Sequence, residues 1–122
     1  MPGIGRSIET VRARAEISGF AAYLRAAREQ AIVRGEAQAV RLDPATRSLF
    51  ITAADSEGVR SSRSFSYLVQ IEPDPPEALA VYFAPLGFSS GATYHILASN
   101  NRRYIITVDP LTGRVSSRLE DS

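Results

Sequence analysis

Leu24-Arg25-Ala26-Ala27-Arg28-Glu29-Gln30-Ala31-Ile32-Val33-Arg34-Gly35-Glu36-Ala37-Gln38-Ala39-Val40-Arg41-Leu42 changes its hydrophobic period at Gly35. Upstream, apolar residues recur every three or four positions in an Ala- and Arg-rich run that reaches back to Ser7. Downstream they alternate in short stretches broken by turn residues. The first pattern is that of a helix and the second that of strands. Gly35 stands where a C-terminal cap is expected, and Arg34 in the last turn complements the helix dipole. The spacing therefore predicts one helix over residues 7–34 and a β head over residues 36–122. The fold class is α+β, a long N-terminal helix packed on a mainly antiparallel sheet of about seven strands, all within one domain.

Projection at 100° per residue gives the helix two stripes rather than one. Ile17, Phe20, Leu24, Ala27 and Ala31 form a seam that is expected to hold the head to the helix. Ile8, Val11 and Ala15 point nearly the other way, and Ala22, Ala26 and Val33 continue that second stripe. A helix lying on a sheet needs one buried face, so the second stripe has two readings. It reflects either the helix propensity of alanine or a contact surface in which Ile8, Val11 and Ala15 meet another chain. Gly19, mid-helix, costs on the order of 1 kcal/mol relative to Ala and serves either close packing or a bend.

In the head, Phe65, Tyr67, Val69 and Ile71 alternate with Ser66 and Gln70, the mark of a half-buried strand. Similar strands are expected at Gln38 to Leu42, Leu49 to Thr52, Leu79 to Ala84, Thr93 to Ala98, Arg103 to Asp109 and Arg114 to Leu119. Asp43-Pro44 and Asp109-Pro110 place an Asx side chain at the first turn position and proline at the second. Asn100-Asn101 is a third hairpin signal. Ala53 to Ser64, polar and Ser/Arg-rich, and Glu72 to Glu77, with three prolines, read as surface loops.

The composition excludes several function classes. At 122 residues and 44% hydrophobic content, a chain buries roughly two-thirds of its unfolded surface, enough for a core. The net charge is +1 and all fourteen basic residues are arginine, for which a GC-rich coding bias is sufficient explanation. Without cysteine there is neither a disulfide framework nor a thiol nucleophile. No run of 18 or more apolar residues occurs, so no segment of this chain reads as a membrane span. His95, the single histidine, lacks the companions of a zinc site and reads as a structural or surface residue. Pro85 to Gly91 has the glycines of a phosphate loop but neither its lysine nor a following helix. Glu72, Asp74 and Glu77 lack the spacing of a calcium loop and read as a solvated turn. No catalytic, cofactor or metal site is expected, and no enzymatic activity.

Three segments in order resemble the GspH/FimT family of pseudopilins and minor pilins. Leu24 to Gly35 is similar to that family's Ala-Arg-rich helix exit into the first strand. Val81-Tyr82-Phe83-Ala84-Pro85-Leu86-Gly87-Phe88-Ser89-Ser90-Gly91 is similar to its Phe-x-Pro-x-Gly stretch and Ser/Gly turn. Tyr104-Ile105-Ile106-Thr107-Val108 with Thr112-Gly113-Arg114-Val115 is similar to its C-terminal hairpin. The resemblance spans roughly residues 15 to 117 and implies a pilin-like fold. It implies a prepilin peptidase site, a methylated N-terminus and an apolar membrane helix upstream, none of which lies in this chain. The expectation is a chain trimmed for solubility, with Met1 supplied for expression. Full length, the resemblance implies an inner-membrane anchor, a periplasmic head and other pseudopilins or minor pilins as partners. It implies no cofactor and no small-molecule substrate.

Two family roles diverge. One is the minor pseudopilin of type II secretion, a filament subunit that helps export folded proteins. The other is the FimT-like minor pilin of type IV pili, in which a Gly-Arg-x-Arg motif contacts DNA during uptake. Here the matching positions are Gly113-Arg114-Val115-Ser116, with Arg118 two residues later. In a strand Arg114, Ser116 and Arg118 would share a face, the arginines about 13 Å apart. A hairpin turning at Asp109 to Gly113 would bring Arg102 and Arg103 near the Arg118 end. These four arginines are the candidate phosphate contacts; the competing reading is a charged edge protected from aggregation. A third possibility, a free-standing ligand-binding β domain, requires a deep apolar pocket in the head.

Overall fold

The computed structural model describes residues 2–53, 58–66, 68–99 and 101–120, without the side chains of 2–7, 9 and 60. The helix α1 runs Pro2–Arg34, five residues further upstream than the periodicity predicts. Pro2 suits a first helical turn, where its missing N–H is not needed. At the other end Gly35 takes φ 63°. Its N–H reaches Ile32 O (3.4 Å) and the Glu36 N–H donates to Ala31 O (3.1 Å), the paired bonds of a Schellman cap.

Eight strands follow: β1 (Gln38–Asp43), β2 (Ser48–Ala53), β3 (Val59–Ser64), β4 (Val69–Pro73), β5 (Ala80–Phe83), β6 (Ala92–Ala98), β7 (Arg103–Val108) and β8 (Val115–Glu120). They form two antiparallel sheets in the orders β3-β2-β1-β5 and β4-β6-β7-β8. One inner surface carries Val40, Leu42, Leu49, Ile51, Val81 and Phe83. The other carries Val69, Ile71, Tyr94, Ile96, Ile106, Val108 and Val115. Residues directly opposite in register share a face, so this sorting follows from the pairing of Val40 with Ile51 and Val81, and of Tyr94 with Ile106.

The helix closes the space left by both sheets. Ala13, Ile17, Phe20, Ala21, Leu24, Ala27 and Ala31 join the buried cluster. Phe20 meets Tyr94 edge-on, with centroids 4.9 Å apart and planes at 61°, a favourable arrangement for aromatic quadrupoles. Burial pushes the Tyr94 phenol up from its usual value. The neutral ring is retained in the folded protein, whereas an unfolded tyrosine ionises near about pH 10. Its contribution is therefore complete below that pH and lost as pH rises above it. Stability measured from about pH 9 to about pH 11 should fall less steeply in Tyr94→Phe than in the native chain. Identical slopes would refute this assignment.

β3 corrects the expectation of a surface loop from Ala53 to Ser64; residues 54–57 lie outside the described residues. Its Val-Arg-Ser-Ser-Arg-Ser sequence has no apolar alternation because its inward side chains serve the helix. Ser61 Oγ hydrogen-bonds Tyr23 OH at 3.0 Å, and the Arg63 guanidinium lies across Gly19. A Cβ at Gly19 would meet the end of the Arg63 side chain, so the glycine leaves room for that guanidinium to lie across the helix. Strand β4 also begins later than the alternation from Phe65 suggests. Ser66 turns the chain there, its Oγ accepting from Leu68 N–H (3.1 Å) and its carbonyl from Val69 N–H (3.2 Å). Tyr67 and Asn100, on which two readings rested, lie outside the described residues. Both Asp-Pro turns have the expected Asx bonds: Asp43 Oδ1 accepts from Ala45 N–H at 3.0 Å, and Asp109 Oδ1 from Leu111 N–H at 2.8 Å.

Candidate functional site

Docking the Ile17 seam turns the opposite stripe of α1 to solvent. Ile8 is 49% exposed, Val11 66% and Val33 75%, and Ala15, Ala22 and Ala26 are exposed as well. Among the described side chains Ala13 is the first to be buried against the head. A helix of 33 residues extends about 50 Å at 1.5 Å per residue. From Ile8 to Val33 it thus presents a stripe of exposed apolar and small residues, while from Ala13 onward its other face is committed to the core.

Of the four candidate DNA-contacting arginines, the β7–β8 register brings Arg103 to the Arg118 end, while Arg102 and Arg114 lie outside the two strands. Arg114 precedes β8 rather than opening it. In the β7–β8 register Arg118 faces Ile105 and Arg103 faces Glu120. Across the outer face, Glu72, His95, Ile105 and Arg118 form one row, and Gln70, Leu97, Arg103 and Glu120 the next. Arg102 lies before β7, outside both rows. His95 sits between carboxylates, Nε2 at 3.3 Å from Asp74 Oδ2 and Nδ1 at 3.5 Å from Glu120 Oε2. Glu72, Asp74 and Glu120 therefore intersperse negative charge among Arg103 and Arg118, which weakens the field a phosphate backbone would meet.

Sequence reasoning assigned no role to Arg25 and Arg28, which join α1 to the head. Arg25 Nη2 donates to Val115 O at 3.0 Å. Arg28 Nε donates to Thr112 O at 3.1 Å and reaches Gly87 O at 3.4 Å. Gly113, at φ 68°, allows this approach, because a Cβ there would collide with Gly87 O and lie 2.9 Å from Arg28 Nε. The signal in the sequence was the pair of glycines, Gly87 and Gly113, rather than either arginine. Their mutual contact is not visible in one dimension.

Among the described residues no group of His, Asp and Glu stands at metal-ligand spacing. The concavities are solvent-open grooves of mixed lining. The first lies over Glu72, His95, Leu97 and Arg103 on the outer face, about 540 Å³, and is not the deep apolar pocket that a ligand-binding β domain requires. Pro85 to Gly91 forms a tight turn in which Ala84 N–H donates to Phe88 O at 2.8 Å, with Gly87 at φ 101° and Gly91 at φ 79°. No helix in the described residues is long and apolar enough to cross a membrane.

The family described as type II transport protein GspH matches residues 16–112. No curated protein matches the sequence significantly. Among solved structures, the type IV minor pilin FimU of Pseudomonas aeruginosa superposes with a TM-score of 0.74 at 16% identity, over 93% of this chain and 91% of that one. The minor pseudopilin EpsH from the type 2 secretion system of Vibrio cholerae gives 0.66 at 18% identity, over 89% and 96%. A second crystal structure of EpsH gives 0.65 at 16%, over 94% and 99%. At these identities the likeness to the solved structures is one of fold: a single N-terminal helix on antiparallel sheets.

Proposed function

The chain belongs to the type II transport protein GspH family, and from that premise we propose that it is a minor pseudopilin, a non-catalytic subunit of a secretion filament. The observation that carries this reading is the exposed stripe on α1. Ile8 and Val11 are large apolar side chains on the face turned away from the head. Nothing in the fold requires them there, whereas a helical neighbour would bury them. In this reading Ile8, Val11 and Ala15 contact other pseudopilins. Ile17, Phe20, Leu24, Ala27 and Ala31 keep the head rigidly attached, so that force on the helix reaches the head. The full-length subunit is anchored in the inner membrane by an apolar helix upstream of α1, with the head in the periplasm.

The carboxylates interspersed with Arg103 and Arg118 favour this reading over DNA uptake. The test is Ile8→Asp. Because the side chain is half exposed, unfolding free energy should change by no more than about 0.5 kcal/mol. Cross-linking to other pseudopilins, and filament assembly, should be lost. Assembly that survives Ile8→Asp would overturn the helix-face proposal. Salt-sensitive binding of duplex DNA that disappears in Arg114→Ala/Arg118→Ala would instead support the uptake pilin.

A further inference from the structure

The turn at residues 84–88 and the β7–β8 turn at residues 109–113 are fastened to each other and to α1. Ser89 N–H donates to Pro110 O at 2.9 Å, and Ser89 Oγ donates to Asp109 O at 3.1 Å. Arg28 bridges the pair through Thr112 O and Gly87 O. Gly113 N–H closes its own turn onto Asp109 O at 2.8 Å. From this frame project Leu86 and Leu111, 88% and 85% exposed, with Phe88 at 49% and Ile32 at 41%. Leu86 and Leu111 each adjoin a residue whose carbonyl Arg28 holds, so the backbone that carries the two tips is fastened to the helix.

Beside them runs a groove of about 560 Å³ bounded by Arg25, Arg28, Glu29, Thr112, Gly113 and Arg114. Three guanidinium groups line it against the single carboxylate of Glu29. Arg25 spends one nitrogen on the Val115 carbonyl and Arg28 one nitrogen on the carbonyls of Thr112 and Gly87, which orients them. The Arg114 side chain has no hydrogen bond or ion pair among the described residues. A guanidinium with unused donors matches a carboxylate in a bidentate geometry. Positive charge in a groove next to exposed apolar tips calls for a ligand that carries both complements.

We propose that this end of the molecule docks an extended acidic segment of a neighbouring protein, one that alternates carboxylates with apolar side chains. Its carboxylates enter the groove between Arg25 and Arg114, and its apolar side chains cover Leu86, Phe88 and Leu111. A phosphodiester backbone has no complement for the leucines. A flat bilayer does not fill a groove. Because the frame is preformed, the backbone of the head itself loses little conformational entropy on docking. The surface lies about 25 Å along the helix axis from Val11, counting 1.5 Å per residue to Arg28. It is therefore separate from the proposed filament contact at Ile8, Val11 and Ala15.

The test is fluorescence anisotropy of a labelled peptide that alternates Glu and Leu, titrated with the whole chain. Two control peptides carry Gln for every Glu or Ser for every Leu. The Glu/Leu peptide should bind saturably, and each control at least about tenfold more weakly. Arg114→Glu and Leu111→Ser, both at exposed side chains and checked for unchanged melting, should each weaken binding by about tenfold or more. Failure of the peptide to bind, or equal binding by native and substituted chains, would overturn the proposal. Binding of phosphatidylglycerol vesicles or duplex DNA that those substitutions abolish, without peptide binding, would overturn it as well.

Discussion

Replacing Phe20 with alanine is expected to destabilise the protein by about 3–5 kcal/mol, the usual cost of deleting a buried aromatic ring. Phe20 is 2% exposed, and its ring meets Tyr94 of β6 edge-on. The loss therefore has two parts, the transfer of the ring to water and a cavity between the helix and the sheet. For a chain of this length the melting temperature should fall by about 10–20 °C. Phe20→Leu, which keeps most of the volume, should lose much less. Urea unfolding of both variants gives the comparison. A cost under about 1 kcal/mol for Phe20→Ala would mean that the seam does not hold the helix to the head. In the proposed filament reading, a loosened helix would no longer transmit a contact at Ile8 and Val11 to the head.

Gly113→Ala should cost about 2–5 kcal/mol, the sum of two separable effects. Its φ of 68° lies in the left-handed region that L side chains rarely adopt. In addition, a Cβ would collide with the Gly87 carbonyl oxygen and crowd Arg28. Gly35 offers an internal control, since it has nearly the same φ, 63°, with nothing within 4 Å of an added Cβ. Gly35→Ala therefore measures conformational strain alone, about 1–2 kcal/mol. The excess at Gly113 measures how tightly the helix and the two turns are fastened. Equal costs at the two positions, read by equilibrium unfolding, would show that the Arg28 clamp is slack. Gly113→Ala should also loosen the frame that presents Leu86 and Leu111, and so weaken docking of the acidic peptide even at temperatures where the protein remains folded.

The helix has to satisfy two demands that compete for the same residues. Its head-facing side is filled by Ile17, Phe20 and Leu24 with alanines between them, so that sheet side chains can approach closely. Its outer side keeps Ile8 and Val11 exposed to solvent. Arg25 and Arg28 occupy the border between the two and use their length to reach the backbone carbonyls of Val115, Thr112 and Gly87 in the head. That border is where the acidic segment is expected to dock. A substitution there, unlike one on the outer stripe, affects both stability and recognition.

Features set by local and periodic rules were legible in one dimension. Gly35 as the helix cap, the Ile17–Phe20–Leu24–Ala27–Ala31 spacing, the alternating strands and the two Asp-Pro turns each depend on interactions within a few residues. Strand β3 was not legible, because an edge strand is held by backbone hydrogen bonds to β2, and its inward Ser61 and Arg63 satisfy helix groups instead of filling a core. The division into two sheets, the alignment of Arg103 with Glu120, and the clamp of Arg28 on Thr112 and Gly87 were equally hidden. The residues in that clamp are 84 and 59 positions apart. Helix periodicity and turn chemistry are short-range and leave their mark on every few residues. The pairing of distant strands, and the side chains it brings together, is chosen only when the whole core closes.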